Sequence, residues 1–478
     1  MYLWIVIVGG TFSFFASMGI GANDAANAFA TSIGSKSLTI RNAVILAVVF
    51  ESSGAVLMGN HVVNTIRKGI ADYECFEDDP YSLMYGCMWV CLSVGMWLFV
   101  ASKYEMPVST THSCVGAMIG MTICLKGTDC VIWYEEKETF PYIGGVSGII
   151  ISWIVSPVFS GLIASSIFAA VRSGLLRIEN SFNRCIYIFP GIVGFCVTLN
   201  SFYIIYKGAK GIGLDETSLG ESCLWSFGLG AGSAILTIPF VKKTKHYIET
   251  YFEKIESEKI EAEEEDSSKS IENVGYHNTI INKDEVVAAI HDNAEVFDPK
   301  TEELFKFLQV FTAMCDSFSH GANDVANAVG PFATILSIYN SDALLEKNDL
   351  DRDAYWVLGM GGVGIAIGLA SYGYKIINAI GIKLCKITPT RGISIELASA
   401  LVIITGSRLE IPLSTTHCQV GATVGVALLE DHQKCSGVNK MVVLKTAAGW
   451  VLTLIIVGCS TAILVSQGAY APRTSGIL

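Results

Sequence analysis

The chain has 478 residues, 51% of them hydrophobic and only 16% charged, with a formal net charge of −12. A soluble globular protein carries about a quarter charged residues, so the composition points away from that class. The acidic balance, with no basic stripe interleaved with aromatics, excludes nucleic acid as a partner.

The few charges are unevenly spread. Tyr2–Ile20, Ala43–Met58, Met84–Ala101, Ile143–Val171 and Met441–Val465 contain almost none. Each is close to the roughly 17–25 residues that cross a bilayer core of about 30 Å. They do not alternate as barrel strands do, so the pattern predicts an all-α integral membrane protein. The first run lacks a basic n-region and a small-residue cleavage site, and reads as a true span.

In chain order, the first half predicts hydrophobic segments at 3–22, 41–59, 83–101, 108–125, 143–170, 184–206 and 222–241. The second half predicts 303–322, 355–373, 391–406, 412–429 and 442–466, about twelve in all. This divides the chain into a transmembrane half at 1–241, a polar stretch at 242–302 and a second half at 303–478. The polar stretch contains EKIESEKIEAEEEDSSKS. Such a sequence cannot bury enough apolar surface to fold alone and reads as a solvated, partly helical loop. The modest bias of Lys and Arg among the short loops places 242–302 in the cytoplasm and both termini outside. No targeting signal is legible, which leaves the plasma membrane as the expected location. Most of the 14 cysteines, Cys91, Cys114, Cys196, Cys315 and Cys459 among them, fall in apolar runs and read as buried small hydrophobes. Cys75 and Cys130 fall in loops expected outside, where a disulfide between them is open.

The chain repeats itself. Gly21-Ala-Asn-Asp-Ala-Ala-Asn-Ala28 returns as Gly321-Ala-Asn-Asp-Val-Ala-Asn-Ala328, and Glu105-Met-Pro-Val-Ser-Thr-Thr-His112 returns as Glu410-Ile-Pro-Leu-Ser-Thr-Thr-His417. Gly21 and Pro107 are 86 residues apart; Gly321 and Pro412 are 91 apart. An odd number of spans separates the copies, so the two units are expected to be inverted. Inverted repeats are a transporter architecture, with the site where the repeats meet near the midplane. The arms flanking the Pro-x-Ser-Thr-Thr-His motifs are short, which predicts re-entrant hairpins at 83–125 and 391–429 with the motifs at their tips.

Asp24 and Asp324 are expected to end apolar helices. Each has Asn at the preceding position (Asn23, Asn323) and three residues on (Asn27, Asn327). Residues three apart share a helix face, so each pair can give oxygen ligands to Na⁺ or relay a proton; the alternative is simple helix capping. Ser109, Thr110 and Thr111 follow Pro107, and Ser414, Thr415 and Thr416 follow Pro412. Hydroxyls at a helix start, among free N–H groups and the positive dipole end, suit an oxyanion such as phosphate; ordinary N-capping is again the alternative. His112 and His417 close these motifs, but no orienting acid or oxyanion hole accompanies them, so hydrolytic chemistry is not expected. They serve as hydrogen-bond donors in the tips or in proton coupling. Glu51, Glu396, Asp316 and Gln309 are further polar residues in apolar segments, where carboxylates are functional candidates. Glu51 and Glu396 are not repeat equivalents: Cys91 stands opposite Glu396, and Ala16 opposite Asp316.

GANDAANAFAT, HGANDVANAVGP and the two P-x-STTH segments together resemble the inorganic phosphate transporter (PiT) family, which includes type III sodium-dependent phosphate cotransporters. The resemblance covers both halves and leaves out 242–302. It implies a non-enzymatic, dimeric symporter of inorganic phosphate with Na⁺, or with H⁺ in some members, and no bound cofactor. Carried over, it implies phosphate at Ser109, Thr110, Thr111, Ser414, Thr415 and Thr416 beside Asn23 and Asn323. It implies sodium at Asp24, Asn27, Asp324 and Asn327, with Glu51 and Glu396 matching glutamates tied to transport. A carrier of a related oxyanion such as sulfate, or a phosphate exporter-channel or sensor, remains the alternative.

Overall fold

The computed structural model describes residues 2–59, 69–138, 142–207, 217–264, 276–341, 355–408, 413–430 and 437–470. Pro412, the expected start of the second tip, and residues 265–275 of the acidic stretch lie outside these.

Helices dominate, because an apolar segment must satisfy its backbone internally. α1 (Leu3–Asn23) and α2 (Ala25–Gly34) form one rod interrupted only at Asp24. α3 (Ile40–Met58) follows, started by the Thr39 hydroxyl, which accepts from Asn42 N–H. α4 (Pro80–Lys103) starts on an Asp79 cap with Pro80 in its first turn. α5 (Thr110–Lys126), α6 (Gly145–Val171), α7 (Ser181–Lys207) and α8 (Leu219–Glu264) complete the first half. The short α9 (Tyr276–Ile281) and α10 (Glu285–Asn293) precede α11 (Pro299–Ser341), α12 (Tyr355–Tyr372) and α13 (Tyr374–Asn378). α14 (Pro389–Arg408), α15 (Thr415–Leu428) and α16 (Lys440–Ala469) end the described chain.

Among the described residues, eight helices are long and apolar enough to cross a membrane. They match eight of the expected segments. The other four are helical as well, in α5, α11, α14 and α15, but differ in kind. α5 and α15 have only 17 and 14 residues, while α11 and α14 carry buried charged side chains, including Asp316, Asp324, Arg391 and Glu396. Two expectations need correction. Asp24 does end α1, with α2 resuming at the next residue, but Asp324 ends nothing: α11 runs 43 residues through it. Alanine-rich flanks favour helix, and the polar groups find partners on other elements. Nor are the hairpin arms uniformly short, since α4 has 24 residues.

Glycines repeat the same close contacts in both halves. A Cβ on Gly21 would lie 1.8 Å from Ile365 O, and one on Gly321 would lie 2.2 Å from Glu51 O. Likewise Gly54 meets Phe318 O and Gly368 meets Met18 O, at 2.0 and 1.9 Å. The hairpins follow suit: Gly120 meets Gly458 O and Gly425 meets Gly161 O. So α1 packs on α12 as α11 packs on α3, and α5 packs on α16 as α15 packs on α6. Close backbone approach through small residues is how helices associate without a hydrophobic drive between them. Cys75 and Cys130 form a disulfide that ties the segment before α4 to the segment after α5, beside an Ala71–Val131 bridge.

The stretch 242–302 is more ordered than its composition suggests. α8 continues to Glu264, and 276–298 docks on the bundle. His277 Nε2 lies 3.0 Å from Ile33 O at the end of α2, and His291 Nε2 lies 2.9 Å from Ile382 O. Lys386 Nζ donates to His291 O. Glu295 takes two 2.8 Å bonds from Arg177, while its N–H donates to Glu430. Arg391, 1% exposed, pairs with Glu430 at 2.8 Å and donates to Glu295 O. The acidic run from Glu253 to Glu264 precedes the docked part, whose contact is made by its own hydrogen-bonding groups, Glu295 among them.

Two predictions follow from this packing. Gly321→Ala drives a methyl into the Glu51 carbonyl and destabilises by about 1–3 kcal/mol, whereas Gly232→Ala, with open space at its Cβ, does not; thermal unfolding in detergent compares them. The second concerns pH. Burial holds His277 and His291 below their ordinary value, with Lys36 and Lys386 respectively adding to the effect. The docked state therefore binds fewer protons than the released one. Docking is fully stable above about 6.5, the free histidine value, and weakens as pH falls below it. The hydrogen-exchange protection of 276–293, taken relative to the intrinsic rate at each pH, should fall between pH 7 and 5.5; unchanged protection would refute this.

Candidate functional site

The site forms where two helix starts meet two mid-helix motifs. α5 begins at Ser109, whose hydroxyl accepts from His112 N–H at 3.2 Å; α15 begins at Ser414, which accepts from His417 N–H at 3.3 Å. The next hydroxyls, Thr110, Thr111, Thr415 and Thr416, are buried. Crossing them are the rod α1–α2 and the long α11, which present Asp24 and Asp324.

Each aspartate is bonded by both tips. Asp24 Oδ2 accepts from Thr110 Oγ1 at 2.8 Å, and its Oδ1 accepts from Thr416 Oγ1 at 2.5 Å and Thr415 Oγ1 at 3.3 Å. Asp324 Oδ2 accepts from Thr415 Oγ1 at 2.7 Å, and Oδ1 from Thr110 Oγ1 at 3.1 Å. Asn27 and Asn327 donate to the aspartate three residues before them, at 3.0 and 2.9 Å. They also reach the tips: Asn27 donates to Thr416, and Asn327 to Thr110 and Thr111. Residues 300 or more apart in sequence thus share one buried centre.

Three buried atoms at this centre have no hydrogen-bond partner: Asn27 Oδ1, Asn327 Oδ1 and His320 Nε2. Buried polar groups are normally satisfied. His320 Nε2 lies 3.2 Å from Asp324 Oδ2 and 4.0 Å from Asp24 Oδ1, and His320, Asp24 and Asp324 can together hold a cation. The amide oxygens add hard ligands of the kind that suit alkali ions. The helix-start N–H groups and the threonine hydroxyls, which here donate to the aspartates, are donors of the kind that suit an oxyanion.

Two glutamates flank the centre without touching the aspartates. Glu51, on α3, accepts from Ser317 at 3.1 Å and lies 2.8 Å from His320 Nδ1. It therefore fixes which face His320 shows the centre. Glu396, on α14, accepts from Thr31 at 2.6 Å, Ser32 at 3.1 Å and the Thr312 hydroxyl. Gln309 joins Glu396 to Ser35 and Ser37, a polar chain from the bundle interior to the end of α2.

The remaining expected residues are placed as follows. Asn23 clamps the first tip: its amide donates to Ser102 Oγ and Met106 O, and its oxygen accepts from Val108 N–H. Glu105, at φ 57°, bends that tip and is held by Lys383 at 2.5 Å. Asn323 is buried beside Asp324, and Asp316 lies one turn before His320. His112 and His417 face each other, 4.5 Å between ring centres, each against a tryptophan, Trp153 and Trp450. Sequence reasoning passed over His320, Ser317, Thr31, Ser32 and Thr312. His320 stands one residue before the second motif and one turn from Asp324, a usable signal. A search for duplicated residues discards it, because Ile20 holds that place in the first copy.

With this geometry in place, comparison gives a consistent result. Residues 20–461 match the family model described as the phosphate transporter family. The chain is 28% identical to the phosphate-repressible phosphate permease pho-4 of Neurospora crassa over 98% of both. It is 32% identical to inorganic phosphate transporter 2-1, chloroplastic, of Arabidopsis thaliana, over 95% of this chain and 70% of that one. A solved structure titled the sodium-dependent phosphate transporter superposes with a TM-score of 0.76 at 27% identity, over 98% of this chain and 100% of that one.

The site predicts a graded set of stability losses. Ser109→Ala and Ser414→Ala each remove a helix cap worth about 1 kcal/mol. His320→Ala strips Glu51 of its buried partner and costs more, about 3–5 kcal/mol. Thermal unfolding of the purified variants gives the order; equal losses would count against the Glu51–His320 pairing.

Proposed function

The chain belongs to the phosphate transporter family, and on that premise we propose that it imports inorganic phosphate coupled to Na⁺, by alternating access around the Asp24–Asp324 centre. The observation that carries this reading is the convergence of both aspartates, both asparagines and both threonine-bearing helix starts on one buried centre, where the oxygens of Asn27 and Asn327 have no hydrogen-bond partner. Two carboxylates in a dry site are costly unless cations accompany them. Bound Na⁺ would neutralise them and so admit an anion that bare carboxylates repel. Asp24, Asn27, Asp324 and Asn327 supply the cation oxygens in this reading. Thr110, Thr111, Thr415 and Thr416 donate to phosphate, with Ser109 and Ser414 shaping the helix starts. A singly charged phosphate leaves the least charge to desolvate.

The exchange of contacts supports alternating access. Each aspartate is bonded by the other half's tip, so moving one half against the other breaks and remakes the cage. Inverted halves, as the sequence suggests, would let the same contacts serve both sides of the membrane. We place the chain in the plasma membrane with both termini outside and 242–302 in the cytoplasm. The Cys75–Cys130 disulfide supports that sidedness, since disulfides persist on oxidising faces. The family resemblance adds a homodimer. A proton-coupled variant is the second reading, favoured by the buried His320–Glu51 pair.

Radiolabelled phosphate uptake into proteoliposomes tests both. Uptake should require a Na⁺ gradient; uptake that ignores Na⁺ and collapses with the pH gradient selects the second reading, and equal competition by sulfate rejects phosphate selectivity. Asp24→Asn and Asp324→Asn should abolish uptake with folding intact. A hydrogen bond to a charged group is worth about 1.5–3 kcal/mol, so Thr415→Val should weaken phosphate roughly 10- to 150-fold.

A further inference from the structure

Away from the centre, a cavity of about 350 Å³ opens between α6, α7, α11 and α14. Its volume falls in the roughly 300–1,000 Å³ range of small-ligand sites. Val171, Ile188, Ile192, Phe195, Ile393 and Leu397 form most of its wall. Two hydroxyl residues also line it, but both are spent elsewhere: Thr390 Oγ1 donates to Glu302 at 2.8 Å, and Ser394 Oγ donates to Thr390 O at 3.0 Å. The cavity therefore offers its occupant an apolar surface. Gly191 and Phe195, both exposed, mark its open side, and a Cβ added at Gly191 would meet nothing within 4 Å.

α6 and α7 are both long and apolar enough to cross a membrane, so the open side faces hydrocarbon. The cavity's far wall is α14, the arm that carries Glu396. At the end where α7 starts, charges of both signs gather, with Glu179, Asp298 and Glu302 near Arg184. Arg184 is exposed and stands one turn before Ile188, on the same face of α7; Arg172 and Arg177 lie on the neighbouring α6–α7 corner, held by Glu295. Arg184 has no carboxylate within ion-pair reach among the described residues. An apolar slot with a cationic group one turn beyond its end matches a lipid with an acidic headgroup, and basic pockets between membrane helices bind such headgroups. A helix of a second copy, about 10–12 Å across with its side chains, is too wide for this volume.

We propose that this cavity seats an acyl chain of an anionic phospholipid whose phosphate is held by Arg184, so that the lipid braces α14 on the face of Ile393 and Leu397. The occupant is a membrane component and not cargo, and the site is independent of the transport centre.

The full chain in nanodiscs containing a phosphatidylglycerol with a diazirine in its tail tests this. Irradiation should label peptides of α7 around 188–196 and of α14 around 393–397. Gly191→Phe fills the open space and should cut that labelling at least several-fold while the variant keeps its thermal stability. Arg184→Gln should remove the preference for phosphatidylglycerol over phosphatidylcholine while leaving the tail labelling in pure phosphatidylglycerol. Labelling spread evenly over α8 and α16, or unchanged by Gly191→Phe, overturns the proposal. So does a Gly191→Phe variant that converts a dimer to a monomer in mass photometry, because the cavity would then belong to a contact between copies. The readout is lipid binding, so it stands or falls apart from any result on phosphate uptake.

Discussion

Two buried aspartates, each bonded by threonines from both hairpin tips, set the terms for the rest of the molecule. A carboxylate far from water is tolerated only when hydrogen bonds or cations compensate it. Asp24 and Asp324 take theirs from residues hundreds of positions away. That need fixes where the hairpins end, because α5 and α15 must bring their first turns to the carboxylates. It also dictates glycine at the crossings. α1 and α11 reach the centre only by lying backbone to backbone on α12 and α3, and a methyl at Gly21 or Gly321 would overlap a carbonyl oxygen.

Much of this was legible in the sequence because it was written twice. The motif pairs gave the central residues, and their spacing gave the pairing of motifs with tips. The eight membrane-length helices among the described residues followed from apolar runs of bilayer length. What did not follow had specific causes. Asp324 looked like a helix end because polar residues interrupt an apolar run. The interruption is absorbed by partners on other elements, which no local pattern displays. The role of Ser109 and Ser414 was ambiguous for a related reason: capping and anion binding call for the same residue at the same place, and the bond to the N–H three residues on shows the cap. The stretch 242–302 looked solvated because its composition is averaged over an acidic run and a docking segment. Among the described residues, the docking segment meets the bundle through a few groups such as Glu295 and His291 that composition hides.

The two halves share their close glycine contacts and differ in the carboxylates around them. The glycine contacts pair Glu51 with Ile365, since Gly321 meets the carbonyl of one and Gly21 that of the other. The two satellite carboxylates therefore occupy non-equivalent positions. Glu51 orients an imidazole toward the aspartates, whereas Glu396 gathers hydroxyls of α2 and α11 with Gln309. The bond from Thr31 and Ser32 to Glu396 ties α2 to α14, and no Glu stands at the matching place on α4, where Cys91 is found.

This asymmetry bears on which open state the proposed carrier favours. A symmetric cage of two aspartates and two tips would present the same face to both sides of the membrane. The gradients set the direction of net flux, while the resting populations of the two open states follow from their difference in energy or ion affinity. The satellites supply such a difference, because each is attached to one hairpin or one core helix and not to its counterpart. The docked segment 276–298 adds another on a single side, binding the ends of α2 and α14 through Ile33 and Arg391. In this account the duplicated residues bind the cargo, and the unduplicated ones, which a repeat search passes over, decide which way the carrier is poised.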